Sequence, residues 1–473
     1  MVFSSSLFLL YFFPAFLLIY FLLPEKLKNI FVLLASIFFY AWGAPDFIVF
    51  VLASIVFDFY VVKWLYVSTG KKKLILTGAS VFVNIGLLAY FKYANFFIEN
   101  LNEVLAQFGM HAVQWTKIAL PIGISFFTFQ KITYAVDVYR KVHAPLKKLT
   151  DYAMYILMFP QLIAGPIVRY NEIADQIENR KEYETLDNKL TGFFRFVIGL
   201  SKKVLIANVL GEQVDYIFSM DSGLLTMPVA WLGIVAYAFQ IYYDFSGYSD
   251  MAIGIGRMIG FTFPENFNNP YISQSISEFW RRWHMTLGAF MKNYLYIPLG
   301  GNRVPKARMY FNLWLVFVIS GLWHGAAWTF VLWGVYHGLF LVLDRLFLLK
   351  FYEKIGKLPS IIITFFITLI GWVLFRSETL EQAVFYVKKM FSGDFRQLDY
   401  FPDAKFYTIM VLAAVFAFMA IFNRNEAWQQ KILSREQHSR TIILMTLGAV
   451  LFFVICLASI TSSGFNPFIY FRF

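Results

Sequence analysis

The sequence predicts an all-α, polytopic transmembrane domain, and three observations predict it. Of 473 residues, 59% are hydrophobic and 20% aromatic, with a mean hydropathy of +0.60. Charged residues make up 15%, where a soluble domain keeps roughly a quarter. Apolar stretches long enough to cross a hydrocarbon core recur along the whole chain. Such a chain has too little polar surface to cover itself in water, so its solvent is largely lipid.

In order, the spanning or nearly spanning runs fall at residues 7–23, 47–65, 74–91, 118–139, 151–167, 190–209 and 224–245, and then at 309–322, 326–346, 361–375, 406–422 and 441–459. Shorter runs at 30–42 and 251–263 are expected to be tilted, re-entrant or buried in protein. The total is about 11–14 membrane helices with re-entrant or interfacial pieces. The first run lacks the basic flank and A-x-A-like exit of a cleaved signal, so it is read as a retained helix. No repeat or low-complexity tract interrupts the chain, so residues 1–473 are expected to form one domain.

The net charge of +12 fits basic loops at the cytoplasmic face. No zinc-finger spacing or RNA-binding aromatic signature points to nucleic acid. Cys456 is the one cysteine and lies in an apolar run, which leaves no disulfide framework and no cysteine-based metal site. Loop charge sets an orientation. Gly43-Ala44-Pro45-Asp46 carries no Lys or Arg, whereas Lys26, Lys28 and Lys71-Lys72-Lys73 flank it on either side. The positive-inside rule puts those basic loops in the cytoplasm and the N-terminus outside. Lys431, Arg435 and Arg440 before the last run put the tail outside as well.

Polar residues at membrane depth are expensive and carry a functional hypothesis by default. Of six histidines, His111, His143 and His438 sit in polar, solvated sequence. His324 sits in Gly321-Leu322-Trp323-His324-Gly325-Ala326-Ala327-Trp328, a break of small residues between two apolar runs. Small residues let helices approach closely or end inside the protein. A poorly hydrated imidazole there is favoured in its neutral form, which can accept a proton from a hydroxyl. The competing reading is a histidine hydrogen-bonded between helices.

His284 lies in an amphipathic stretch, 271–296. There Ile272, Ile276, Trp280, Trp283, Leu287 and Met291 recur at helical spacing, with Arg281, Arg282 and Lys292 between them. Ser275 and Glu278 have capping-box spacing. On one continuous helix His284 stands a turn beyond Trp280, at the edge of the apolar stripe. The bland alternative is an interfacial helix with arginines for lipid phosphates. His337, if it shared a helix with His324, would lie roughly 140° around it and is read as structural. No His-x-x-x-His or carboxylate cluster suggests a metal. Asp244 and Asp250, in an aromatic segment, could anchor helices, orient an imidazole or bind a cation. The segment 264–270, with Pro264 and Pro270 at its ends, reads as a rigid loop leading into the amphipathic stretch. The tail 464–473 is almost wholly aromatic, whereas a terminus is ordinarily polar and frayed. It suits a membrane-interface belt or burial in a cleft, where Tyr470 becomes a nucleophile or acyl acceptor.

Three motifs together resemble the bacterial membrane-bound O-acyltransferases. They are Glu278-Phe279-Trp280-Arg281-Arg282-Trp283-His284-Met285-Thr286-Leu287, Tyr294-Leu295-Tyr296-Ile297-Pro298-Leu299-Gly300-Gly301-Asn302-Arg303 and Gly321-Leu322-Trp323-His324-Gly325. Upstream, residues 120–130 and 159–167 resemble the branch that O-acetylates alginate. The resemblance covers nearly the whole chain. It implies helices around a central tunnel, His324 as the catalytic histidine, and His284 as its partner on the cytoplasmic approach. The tail Phe468-Ile469-Tyr470-Phe471-Arg472-Phe473 is similar to the family's terminal motif, whose tyrosine is proposed to carry the acyl group. A periplasmic or extracellular SGNH-type transferase is the implied partner, in a bacterial cell membrane.

The expected activity is therefore transfer of an acyl group, most simply acetyl, from a cytoplasmic thioester such as acetyl-CoA, with no bound cofactor. His324 would act as general base, and His284 would position or protonate the thioester end. The acceptor is expected to be an extracytoplasmic polysaccharide: alginate, a cell-wall glycan or another exopolysaccharide. D-alanyl transfer to teichoic acid ranks below it. A transporter using Asp244 and Asp250 as an ion site, and a scaffolding subunit without chemistry, are the readings from other classes.

Overall fold

A computed structural model describes residues 1–162, 165–221, 223–396, 400, 402–433, 438–462 and 464–465. Among them there is no strand; every regular element is helical. Among the described residues, seven helices are long and apolar enough to cross a membrane: Glu25–Gly43, Pro45–Val67, Gly70–Gln107, Trp328–Ile355, Lys357–Arg376, Ala404–Ile421 and Arg440–Ser462. The protein is a multi-pass membrane protein, as its composition requires.

The chain divides into two compact units. The first holds residues 1, 7–182 and 261–263. It contains α1 (Phe13–Leu22), α2 (Glu25–Gly43), α3 (Ile48–Val67), α4 (Gly70–Gln107), α5 (Ile124–Tyr139), α6 (Leu149–Leu157), α7 (Phe159–Leu162) and α8 (Tyr170–Glu178). The short apolar run at 30–42 is here the greater part of α2, a full 19-residue helix. The polar residues flanking that run complete it. A buried carboxylate anchors this unit: Asp58 on α3 accepts from Ser80 and Asn84 on α4 and from Tyr152 on α6. Three donors offset the desolvation that an isolated buried carboxylate would suffer.

The second unit holds residues 2–6, 183–260 and 264–473. It contains α9 (Leu186–Ser201), α10 (Asn208–Phe218), α11 (Met227–Met258), α12 (Ile276–Arg282), α13 (Met285–Phe290) and α14 (Lys306–His324). After these come α15 (Trp328–Leu343), α16 (Leu349–Ile355), α17 (Lys357–Arg376), α18 (Leu380–Met390), α19 (Ala404–Phe418), α20 (Asn423–Leu433) and α21 (Ser439–Ser462). The separate apolar runs at 224–245 and 251–263 merge into the 32-residue α11, buried over most of its length. Polar Ser246, Ser249 and Asp250 interrupt the hydropathy without interrupting the helix, because protein rather than lipid surrounds them.

Glycines bring α9 and α11 together. A Cβ at Gly199 would run into the Gly247 carbonyl oxygen and come within 2.6 Å of the Met251 nitrogen. Beside this crossing, the π-helical turn Lys202–Ala207 directs two lysines at α11. Lys203 pairs with Asp244, while Asp250 takes Lys202 at 2.6 Å and Arg195 at 2.6 Å. Arg195 also reaches Glu265 at 2.6 Å. Both candidate carboxylates are thus engaged in salt bridges. Caps fit the sequence: Thr185, Ser275, Thr379 and Asp403 each accept a backbone N–H at a helix start, as short polar side chains at that position do.

Candidate active site

The amphipathic stretch is not one helix. It forms α12 and α13, joined at Trp283–His284 and followed by the π-helical turn Met291–Tyr296. Capping at its start is as expected: Ser275 Oγ accepts from the Glu278 N–H at 3.1 Å, and Glu278 reaches back to the Gln274 N–H at 2.9 Å. The break comes at His284, whose backbone is left-handed with φ 46° and ψ 52°, a conformation uncommon outside glycine. That corrects the expectation of a position on a helical stripe. His284 is instead a hinge between two short helices, and its side chain is buried.

The 264–270 loop explains the break. It lies along the hinge and satisfies backbone groups that a continuous helix would have paired internally. The Asn268 N–H donates to the Arg282 carbonyl at 2.9 Å, and the Asn266 carbonyl accepts from the Met285 N–H at 2.9 Å. The Asn266 side chain takes Thr286 Oγ at 2.9 Å and His284 Nδ1 at 3.1 Å. Arg282 binds Glu278 and Glu426, each at 2.9 Å, so this guanidinium serves the protein interior rather than lipid phosphate. Left-handed backbone at a residue such as histidine carries strain of about 1–3 kcal/mol, which these contacts oppose.

His324 is the last residue of α14, followed by the small-residue break 325–327. Close packing holds it there. A Cβ at Gly321 would run into the Phe330 carbonyl oxygen and come within 3.1 Å of Gly334 on α15. One at Gly334 would come within 2.5 Å of the Phe317 carbonyl oxygen. The His324 ring is buried among Trp323, Trp333 and Phe375, at centroid distances of 4.8, 5.1 and 5.3 Å. The poorly hydrated setting expected for this imidazole is observed, with Trp333 of α15 rather than the exposed Trp328 as its second indole.

The two histidines come together. Their ring centroids lie 6.4 Å apart, with Phe245 of α11 edge-on to His284 at 4.7 Å. Burial pushes the His284 imidazole down to about 3, so the ring is neutral at any physiological pH. Its Nε2 is buried and has no hydrogen-bond partner among the described residues. His337 sits on α15, not on the helix of His324, and Trp333 lies between them at 5.1 Å from each ring. Trp280 Nε1, Trp333 Nε1 and both His337 nitrogens are also buried without a partner among the described residues.

Tyr470 lies outside the described residues. Shortly before it, Phe465 is placed 3.6 Å from where a Cβ at Gly211 on α10 would sit. Phe465 also lines a small cleft with Asn208, Glu212, Lys405 and Ser459. Asp244 and Asp250 face lysines and an arginine rather than an open site. Among the described residues, no group of three or more His, Cys, Asp or Glu side chains is gathered as for a metal ion. Sequence reasoning missed Asn266; the signal available was a short loop bracketed by Pro264 and Pro270 and rich in asparagine.

Residues 87–375 match the membrane-bound O-acyltransferase family model. The chain is 42% identical over 442 residues to a probable alginate O-acetylase AlgI of Pseudomonas aeruginosa, covering 92% of this chain and 84% of that protein. A probable alginate O-acetylase AlgI of Azotobacter vinelandii is 39% identical over 504 residues, covering 100% of both. A peptidoglycan O-acetyltransferase of Helicobacter pylori is 39% identical over 425 residues, covering 82% of this chain and 80% of that protein.

Proposed function

Because the chain belongs to the membrane-bound O-acyltransferase family, we propose that it O-acetylates an extracytoplasmic polysaccharide, alginate-like or peptidoglycan-like, with the paired histidines as its reaction centre. The observation that carries this reading is the convergence of His284 and His324, two buried imidazoles from separate elements, at 6.4 Å. The donor is a cytoplasmic acyl thioester, most simply acetyl-CoA, used as a substrate rather than held as a cofactor. The enzyme is a bacterial cell-membrane protein with both termini extracytoplasmic, following the loop charges. An SGNH-type transferase outside completes delivery.

In this mechanism the acceptor hydroxyl gives its proton to the His324 imidazole as its oxygen attacks the thioester carbonyl carbon. The tetrahedral intermediate collapses, the C–S bond breaks, and the leaving thiolate takes the proton back from the imidazolium. The products are an oxygen ester and a free thiol. Placement of His324 at the carbonyl end of α14 favours the positive charge that develops on it in the transition state. Aromatic walls exclude water, which would otherwise hydrolyse the thioester and screen the charges. His284 positions the reacting groups. Tyr470 is the acceptor hydroxyl in the relay version of this reading, and its ester is then passed to the external transferase.

A transporter built on Asp244 and Asp250 is disfavoured by their pairing with Lys203, Lys202 and Arg195. The experiment is incubation of the purified, lipid-reconstituted protein with a labelled acetyl thioester, alone and with the external partner and glycan. Labelled acyl-protein or acetylated product is expected. Its absence from active-site-intact protein would overturn the reading and favour the transporter instead.

A further inference from the structure

Asn266 holds more groups than a loop residue needs. Its Oδ1 lies 3.3 Å from the Thr286 backbone nitrogen, 2.9 Å from Thr286 Oγ and 3.1 Å from His284 Nδ1, while its Nδ2 donates to Ser249 Oγ at 3.1 Å. A backbone N–H can only donate. The amide atom facing Thr286 is therefore the oxygen, which settles the flip of the side chain by hydrogen-bond logic. An amide oxygen has no hydrogen to offer, so His284 Nδ1, bonded to that oxygen, carries the ring proton. In a neutral ring the other nitrogen then holds a lone pair. That nitrogen, Nε2, is the one buried without a partner among the described residues.

We propose that Asn266 is a positioning residue that holds His284 in its Nδ1–H form, so that a bare Nε2 acceptor faces the reacting groups beside His324. Two further contacts fix the lever. The Asn266 carbonyl caps the Met285 N–H at 2.9 Å, and Ser249 ties the amide to α11. The ring is held at a left-handed hinge with its donor side already occupied. Nε2 can accept an O–H or N–H from a substrate but has no proton to give. His284 thereby aligns a donor group of the substrate and does not protonate the thioester end, which narrows the two roles expected of it. The catalytic consequence rests on the acyl-transfer reading; the tautomer does not.

The test is nitrogen NMR on the full-length protein in lipid nanodiscs with 15N-labelled histidine, the His284 signals being identified by their loss in His284→Gln. The expected result is a proton on Nδ1 alone in the wild type, retained in Asn266→Asp, where a carboxylate oxygen still accepts. In Asn266→Leu the proton is expected to move to Nε2 or be shared between the two nitrogens. Acyl transfer should then fall by about 10²-fold or more, as when a catalytic histidine loses its orienting partner. Protonation of wild-type Nε2 would overturn the proposal whether or not the leucine variant folds. So would a folded Asn266→Leu with unchanged tautomer or unchanged acyl transfer. The expected tautomer in a wild-type protein that transfers no acyl group would instead count against the acyl-transfer reading and leave the Asn266 assignment standing.

Discussion

His284 and His324 stand 6.4 Å apart between ring centroids, one on a left-handed hinge between two short helices and the other at the carbonyl end of a long one. His324 is held by the close packing of α14 on α15 at Gly321 and Gly334, and His284 by the hydrogen bonds of the 264–270 loop. The chemistry assigned to the pair therefore depends on glycine contacts and loop hydrogen bonds as much as on the imidazoles.

The Gly321 contact gives the first prediction. A methyl at this position must push α14 away from Phe330 and Gly334 of α15, one turn before His324. Overpacking of this kind costs about 1–3 kcal/mol, and a shift of ~1 Å in a reacting group can cost about 10²-fold in rate. Gly321→Ala is expected to insert in the membrane and lose most acetyl transfer, read as acetyl content of the glycan at matched protein level. Unchanged acetylation would show that the crossing does not position His324.

Burial of His284 makes a pH-dependent contribution to stability. Its imidazole titrates near 3 when folded and near ~6.5 when unfolded, so between those values the unfolded chain binds more protons. Stability then rises with pH through this window: the contribution is fully present above the unfolded value and is lost as pH falls toward 3. From pH 7.5 to pH 5 the loss from this group is about 2 kcal/mol. Thermal unfolding in detergent should show a smaller drop over that range in His284→Gln than in the wild type. Equal drops would contradict the neutral, buried assignment.

Asp250 is 6% exposed at its side chain and faces Arg195 at 4% and Lys202 at 25%. Removing its charge strands Lys202 and leaves Arg195 with Glu265 alone, and breaking a buried pair costs about 3–5 kcal/mol. Asp250→Asn is expected to lower the melting temperature and yield in detergent. An ion site would behave differently: a well-folded Asp250→Asn protein with selectively altered ion flux would revive the transporter.

Tyr470→Phe separates the readings of the tail. The relay predicts that removing this one oxygen abolishes glycan acetylation while the aromatic character of 464–473 is preserved. Unchanged acetylation would assign the tail to the membrane interface.

The helical class, the small-residue break beside His324 and the poorly hydrated setting of its ring were all legible, because hydropathy and small-residue runs report directly on lipid contact and close approach. Four things were less so. The merger of two runs into α11 was hidden by Ser246, Ser249 and Asp250, whose polarity reads as a helix end when lipid is assumed and as ordinary interior when protein surrounds them. The hinge at His284 was hidden by an apolar periodicity that continues unbroken through 271–296, since periodicity does not register one left-handed residue. The pairing of Asp244 and Asp250 depends on the π-helical turn at Lys202–Ala207, which re-aims two adjacent lysines in a way that a regular 3.6-residue repeat does not anticipate. The loop that carries Asn266 was legible but the role of this residue was not, since it arises from that loop folding back on the break at His284.

The most direct test is single-turnover acyl transfer from a labelled acetyl thioester by purified His324→Ala, with correct membrane insertion verified beside the wild type. Removal of a general base predicts a fall of about 10²–10⁴-fold in the rate of acyl-oxygen bond formation, with the protein otherwise intact. Transfer at the wild-type rate would contradict the assignment of the reaction to this pair of imidazoles.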